Sequence, residues 1–122
     1  MKSSRWIAAV AVIVAFAAVA AVPALGGTRS RGYSLSATSH GPRAGARWTA
    51  TVRGRAGRVS LDVVFGGQVV GHISTGALRR GRYRHTMRWE KRAIGYPMIV
   101  RATITGSGAP VRLEYPVKVR PA

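Results

Sequence analysis

The sequence predicts an all-β fold, a two-sheet antiparallel sandwich of about seven strands, behind an apolar N-terminal segment. From residue 33 onward, apolar side chains recur at every second position, which is the period of a half-buried strand. The alternating runs are short, and turn residues separate them at intervals of about 8–12 residues, as in a sandwich. No run after Val22 shows the period of an amphipathic helix.

The first 26 residues have the organisation of an export segment. Lys2 and Arg5 precede the apolar run Trp6–Val22, and small residues follow at Ala24 and Gly26. A basic start, an apolar stretch and small residues are typical of a secretory signal, with cleavage predicted after Ala24 or after Gly26. Residues 27–32 then form a linker, and residues 33–122 form one β-sandwich domain.

A retained membrane anchor is the alternative interpretation of the same segment. Trp6–Leu25 spans 20 residues, about the length that crosses a hydrocarbon layer of about 30 Å. Pro23 near its end and the prevalence of Ala and Val favour cleavage, and a buried helix of a soluble domain is the third interpretation. With a signal or an anchor, the domain is predicted to be exported and to act outside the cell or at its envelope.

The first predicted strands lie between residues 33 and 53. Tyr33–Ala37 alternates weakly, and turn residues between Thr38 and Gly45 separate it from the next run. Arg47–Arg53 alternates cleanly, with Trp, Ala and Val on one side and Arg and Thr on the other. Both runs therefore predict strands with one face toward a core.

The middle of the chain predicts a hairpin. Val59–Phe65 places an apolar residue at every second position, and Gly66-Gly67 follows at once. Two glycines form a favoured hairpin turn because both positions tolerate a positive φ. Gln68–Ser74 is the predicted return strand.

Three more strands complete the prediction. Arg82–Glu90 has the sharpest alternation in the chain. Met98–Thr105 also carries Ile99 on its second face, which indicates a central strand. Val111–Arg120 contains Pro116, which lacks a backbone donor and indicates an edge strand. The predicted inner face comprises Trp48, Val52, Leu61, Val63, Phe65, Met87, Trp89, Val100, Leu113 and Tyr115.

Three segments of this domain resemble parts of a known group of proteins. Gly41–Trp48, Val64–Gly71 and Ala93–Pro97 are similar to segments of small, uncharacterised exported proteins of high-GC actinobacteria. The strand pattern of residues 33–120 resembles the single immunoglobulin-like or fibronectin-like domains of exported bacterial proteins. The cysteine pair of antibody domains is absent from this sequence, so the resemblance is one of architecture only. It implies no activity and no catalytic residues, because architecture does not confer function.

The composition argues against an enzyme. The three carboxylates, Asp62, Glu90 and Glu114, fall on outward positions of different strands, so no general acid and base pair is predicted. The sequence has no cysteine, no nucleophile elbow and no phosphate-binding loop. We therefore predict no catalytic residue and no cofactor.

The histidines do not predict a metal site. His40, His72 and His85 lack the close spacing that zinc ligands show. His85 lies beside Tyr83 and Met87 on an inward face, and we expect it to be a histidine of the core or its rim. No metal ligand is predicted.

The arginines are the feature of the domain with functional potential. The chain has 20 Lys and Arg against 3 Asp and Glu, a net charge of +17. The candidate anion-binding face consists of Arg47, Arg53, Arg79, Arg80, Arg82, Arg84 and Arg88. It forms a cationic plate if strands 47–53 and 82–88 share a sheet, and such a plate attracts polyanions. The alternative is that arginine keeps a half-buried sheet soluble and prevents its edges from pairing.

The functional prediction is a non-enzymatic exported domain, a binding or structural module of the cell envelope. One alternative is a cationic protein that binds anionic lipid or cell-wall polymer through the arginines. The other is a membrane-tethered accessory subunit, attached through the uncleaved N-terminal segment. The predicted partner is an envelope protein or a polyanionic surface polymer. Specific nucleic-acid binding is not predicted, because the sequence has no recognition motif and no exposed aromatic residue is interleaved with the arginines for base stacking.

Overall fold

Residues 27–106 and 108–122 are described by the structure, a computed structural model. They form eight strands and one short 3-10 helix, Lys91–Ala93. The strands are β1 (Arg29–Ser30), β2 (Tyr33–Ala37), β3 (Arg47–Arg53), β4 (Arg58–Phe65), β5 (Gln68–Ala77), β6 (Arg82–Arg88), β7 (Pro97–Thr105) and β8 (Val111–Lys118).

The strands form two four-stranded antiparallel sheets. The first sheet has the order β1-β2-β3-β6, and the second has the order β5-β4-β7-β8. The all-β sandwich predicted from the sequence is therefore confirmed. In a constant-type immunoglobulin domain, a fourth strand continues the sheet beside the strand equivalent to β6. Here β5 pairs with β4 in the other sheet, which leaves β6 at an edge.

Several predicted boundaries need correction. Residues 27–32 are not only a linker, because Arg29 and Ser30 pair with β2. The return strand of the hairpin continues beyond residue 74 to Ala77, and β6 ends at Arg88. The predicted signal or anchor, residues 1–26, lies outside the described residues. Within residues 27–106 and 108–122, no helix is long and apolar enough to cross a bilayer.

The hairpin between β4 and β5 follows the sequence prediction. Gly66 and Gly67 adopt φ values of 62° and 77°, which match the positive φ of a type I′ turn at both central positions. Phe65 pairs with Gln68 directly across this turn. The two glycines therefore fix where the pairing begins.

The core lies between the two sheets and is formed by the inward-facing residues, which are every second residue along the strands. Trp48 is 1% exposed; its ring lies edge-on to Trp89 at 5.3 Å, and its Nε1 donates to the Ser39 carbonyl at 2.8 Å. All the predicted inner residues are buried except Met87, which is half-buried. Met87 remains partly exposed because, among the described residues, no strand lies beside β6 on its other side.

Candidate anion-binding face

The outer face of the first sheet carries a set of arginines with no acidic residue among them. β3 and β6 pair over seven consecutive residues, so their outward side chains stand opposite each other in rows. The rows are Arg47 with Arg88, Thr49 with Thr86, Thr51 with Arg84, and Arg53 with Arg82. The condition for a cationic plate, that these two strands share a sheet, is therefore met.

One further arginine extends the last row. Arg29 of β1 pairs with Ser34 of β2, and Ser34 pairs with Arg53. Residues directly opposite in antiparallel strands share a face, so Arg29 lies on the same side as Arg53 and Arg82. The arginine face is defined here as Arg29, Arg47, Arg53, Arg82, Arg84 and Arg88.

Sequence reasoning missed Arg29. Its strand has only two residues, which is too short for a period to be visible. The two other predicted candidates, Arg79 and Arg80, lie in the turn that leads into β6. Arg79 and Arg82 exchange backbone hydrogen bonds of 2.9 and 3.1 Å, so the turn stands at the Arg53–Arg82 end of the face.

The local sequence explains why this face is built of arginine and threonine. The inward positions of β3 and β6 take the apolar residues of the core, so polar residues occupy the outward positions. Thr49 and Thr86 form the second of the four rows, and their hydroxyl oxygens are 2.8 Å apart, within hydrogen-bond distance. This threonine pair joins the two strands between the flanking arginines.

Arginine stands directly opposite arginine in two of the four rows. Opposed residues of an antiparallel pair have Cα atoms about 4.5–5.5 Å apart, and like charges placed there destabilise the sheet. Arg88 donates from Nη1 to the Gly45 carbonyl at 2.6 Å. No carboxylate of the described residues forms an ion pair with any arginine of the face.

The three carboxylates of the chain are engaged elsewhere. Glu90 accepts from Arg92 Nε at 2.9 Å in the segment after β6. Asp62 and Glu114 lie on the outer face of the second sheet. Glu114 accepts from Arg101 at 3.1 Å, and Asp62 Oδ1 lies 2.8 Å from His72 Nδ1. Asp62 and Glu114 occupy the outward strand positions predicted for them, whereas Glu90 lies beyond the end of β6 at Arg88, and the two outer faces differ in charge.

A row of ionisable residues crosses the second sheet. His72, Asp62, Arg101 and Glu114 occupy successive strands in register. Thr75 Oγ1 also lies 3.0 Å from His72 Nε2, so Thr75, His72 and Asp62 follow the connectivity of a nucleophile, a base and an orienting carboxylate. The His72 side chain, however, is 54% exposed on an open sheet. Nucleophilic catalysis relies on donors arranged in a site that excludes water, and this arrangement is better explained as a surface network.

The remaining histidines take structural positions. His40 stacks on Tyr115 with ring centroids 4.0 Å apart, and its Nδ1 lies 2.7 Å from the Pro116 carbonyl. His85 is half-buried on the inward side of β6, at the rim of the core as expected. Among the described residues, no group of three or more His, Cys, Asp or Glu residues could hold a metal ion. Burial raises the pKa of the Tyr115 phenol above its ordinary value.

Comparison with known proteins supports the architecture. No family model matches the sequence, and no curated protein matches it. The structure is similar to that of the sulfur carrier protein SoxY from Chlorobium limicola f thiosulfatophilum, with a TM-score of 0.53 and 17% sequence identity. The likeness covers 89% of this chain and 97% of that chain. At this identity it shows the fold alone, a small β-sandwich, and the resemblance to exported actinobacterial proteins stays a prediction.

Proposed function

We propose that this protein is a non-enzymatic binding module of the cell envelope and that its arginine face binds polyanions. The observation that carries the proposal is the direct opposition of Arg47 to Arg88 and of Arg53 to Arg82, without a carboxylate in the rows between them. This arrangement costs stability in the free protein. An anionic polymer that lies across the rows removes the cost and gains from counterion release.

The contrast between the two outer faces separates this proposal from simple solubilisation. Both outer faces carry exposed arginines. On the second sheet, Arg58 and Arg112 are exposed and share their face with two carboxylates, Asp62 and Glu114, whose side chains are 19% and 11% exposed. A single-sign face is therefore not required to keep a sheet of this fold soluble. The loss of stability that the opposed arginines cause is better explained if the face binds a ligand of opposite charge.

The predicted export of the chain indicates which polyanions are available. Outside the cytoplasmic membrane, the abundant ones are phosphate-bearing cell-wall polymers and anionic lipid headgroups. Both present phosphate oxygens, which accept two parallel hydrogen bonds from a guanidinium group. A surface of arginines therefore suits phosphate esters better than a surface of lysines would.

The test is the binding of labelled inorganic polyphosphate to the full chain as salt is raised. The double substitution Arg53→Gln with Arg84→Gln removes two charges from the arginine face. The matched control, Arg58→Gln with Arg112→Gln, removes two charges from the outer face of the second sheet. We expect the first variant to bind more weakly and to reduce the slope of log K against log salt by about 0.7–0.9 for each phosphate that the face no longer neutralises. The control should retain the slope.

An equal loss in both variants would show that net charge alone attracts the polymer and would contradict the proposal. A second arm distinguishes the source of the phosphate. Vesicles of phosphatidylcholine with and without phosphatidylglycerol report the preference for anionic headgroups. The apolar N-terminal segment can bind both kinds of vesicle. Only the additional binding to vesicles with phosphatidylglycerol is therefore assigned to the arginine face.

A further inference from the structure

β6 offers a long and regular free edge. It pairs with β3 over seven residues without a register shift. Within the part of the chain that the structure describes, no strand pairs with its other edge. Apart from the Arg79–Arg82 bridge of the turn that precedes it, the backbone groups along this edge therefore have no strand partner.

The other edges of the sandwich are covered, short or irregular. On its free side, β8 donates hydrogen bonds to neighbouring segments, from Lys118 N to the His40 carbonyl at 2.8 Å and from Glu114 N to the Gly27 carbonyl at 3.0 Å. β1 has only two residues. β5 contains two register shifts against β4, and such bulges discourage the addition of another strand.

The side chains behind the β6 edge are incompletely covered. Tyr83, His85 and Met87 point toward the core and are half-buried. At one end, Tyr83 is tied to the second sheet, because its hydroxyl lies 2.6 Å from Ser74 Oγ. His85 and Met87 lie farther along the strand. A strand beside β6 would occupy the place that the fourth strand fills in constant-type immunoglobulin domains, and it would cover these side chains.

The outward side chains of β6 define the charge of the strand that fits. Arg82, Arg84 and Arg88 project from this strand on the arginine face. Acidic residues on an added strand would stand opposite them and form favourable cross-strand pairs. A second copy of the same edge would place arginine against arginine, so the same residues disfavour self-pairing.

We propose that the β6 edge binds an extended acidic polypeptide segment as a fifth strand of the first sheet. In this segment, Asp or Glu alternates with apolar residues. The acidic side chains lie over Arg82, Arg84 and Arg88, and the apolar side chains lie over His85 and Met87. Such a partner differs from a polyanionic polymer because it is recognised through backbone hydrogen bonds and alternation as well as charge.

The test compares synthetic peptides of equal composition, added to the full chain in a non-ionic detergent. In the first peptide, Glu and Val alternate over the length of β6. In the second, the same residues are sorted into a Glu block and a Val block. We expect the alternating peptide to bind at least tenfold more tightly, because only its charges and apolar groups match the two faces of the edge.

N-methylation of the peptide distinguishes strand addition from attraction by charge. Only alternate amides of an added strand face its neighbour. N-methylation of the Glu amides and N-methylation of the Val amides should therefore differ: one peptide loses binding, and the other retains it. Amide hydrogen exchange along β6 should slow when the unmodified peptide is bound.

Two substitutions connect the binding to this edge. Arg84→Glu should weaken binding of the alternating peptide by roughly tenfold or more, because an attractive cross-strand pair becomes repulsive. Arg112→Glu makes the same change of charge on the second sheet and should have a much smaller effect. Equal binding of the alternating, block and methylated peptides would overturn the strand proposal but leave polyphosphate binding intact. If the protein binds the alternating peptide but not polyphosphate, the strand proposal stands and the proposed polyanion binding is overturned.

Discussion

Replacement of Arg53 by Thr is expected to stabilise the free protein at low salt. Arg53 stands opposite Arg82, and Arg84 lies diagonally across. At about 8 Å in water, each pair of charges repels by about 0.5 kcal/mol, so two neighbours contribute about 1 kcal/mol without screening. At about 0.01 M salt, where the Debye length is about 30 Å, most of this repulsion persists. At about 1 M salt, where it is about 3 Å, less than about 0.1 kcal/mol is left.

Urea unfolding at the two salt concentrations measures this difference. Thr also favours strands more than Arg does, but that effect is independent of salt. The change of the Arg53→Thr effect between low and high salt therefore reports the repulsion alone, about 0.5–1 kcal/mol. In thermal unfolding, a change of this size shifts Tm by about 2–8 °C for a domain of this length.

Arg112→Thr is the matched control. Arg112 stands opposite Thr103 on the second sheet, and its diagonal neighbour Arg101 already pairs with Glu114, so its removal relieves no directly opposed arginine. We expect no stabilisation that is specific to low salt. If Arg53→Thr lowers stability at low salt, or if its effect is the same at both salts, the opposed guanidinium groups do not repel. The arginine face would then carry no cost in stability.

Two further predictions concern packing and pH. Gly76→Ala should destabilise the domain by about 1–3 kcal/mol, because the new Cβ would overlap the ring of Tyr83. Gly71→Ala, where nothing lies within 4 Å of the new Cβ, is the control, and an equal loss in both urea titrations would contradict the packing argument. Burial raises the pKa of Tyr115 above 10.0, so its contribution to stability should be full below about pH 10 and fall as pH rises further. Unfolding measured across alkaline pH should show this loss in the native protein and a smaller one in Tyr115→Phe.

The positions of the strands could be predicted because each strand buries one face only. The alternation in Arg47–Arg53 is enough to assign Trp48 and Val52 to the core, and both are buried. The paired glycines located the hairpin, and Pro116 correctly indicated an edge strand. Each of these features depends on residues that are close together in the sequence, so it can be predicted from the local sequence pattern.

The composition of the faces could not be predicted in the same way. Alternation shows that Arg101 points outward, but it does not show which sheet the strand joins. The structure places Arg101 against Glu114, away from the arginine face. The pairing of Asp62 with His72 depends on a register shift in the hairpin, since an uninterrupted register from the turn would place Gly71 opposite Asp62. Such a shift arises from packing against the rest of the sandwich.

The arginine face contains no lysine, no histidine and no carboxylate. Guanidinium groups keep their charge at every pH at which proteins stay folded. The attraction of this surface for phosphate should therefore be the same in acidic and in alkaline surroundings, wherever the state of the phosphate is unchanged. Competing ions weaken it instead. The charge of the face would stay constant, and its affinity for phosphate would depend on the ionic strength of the medium.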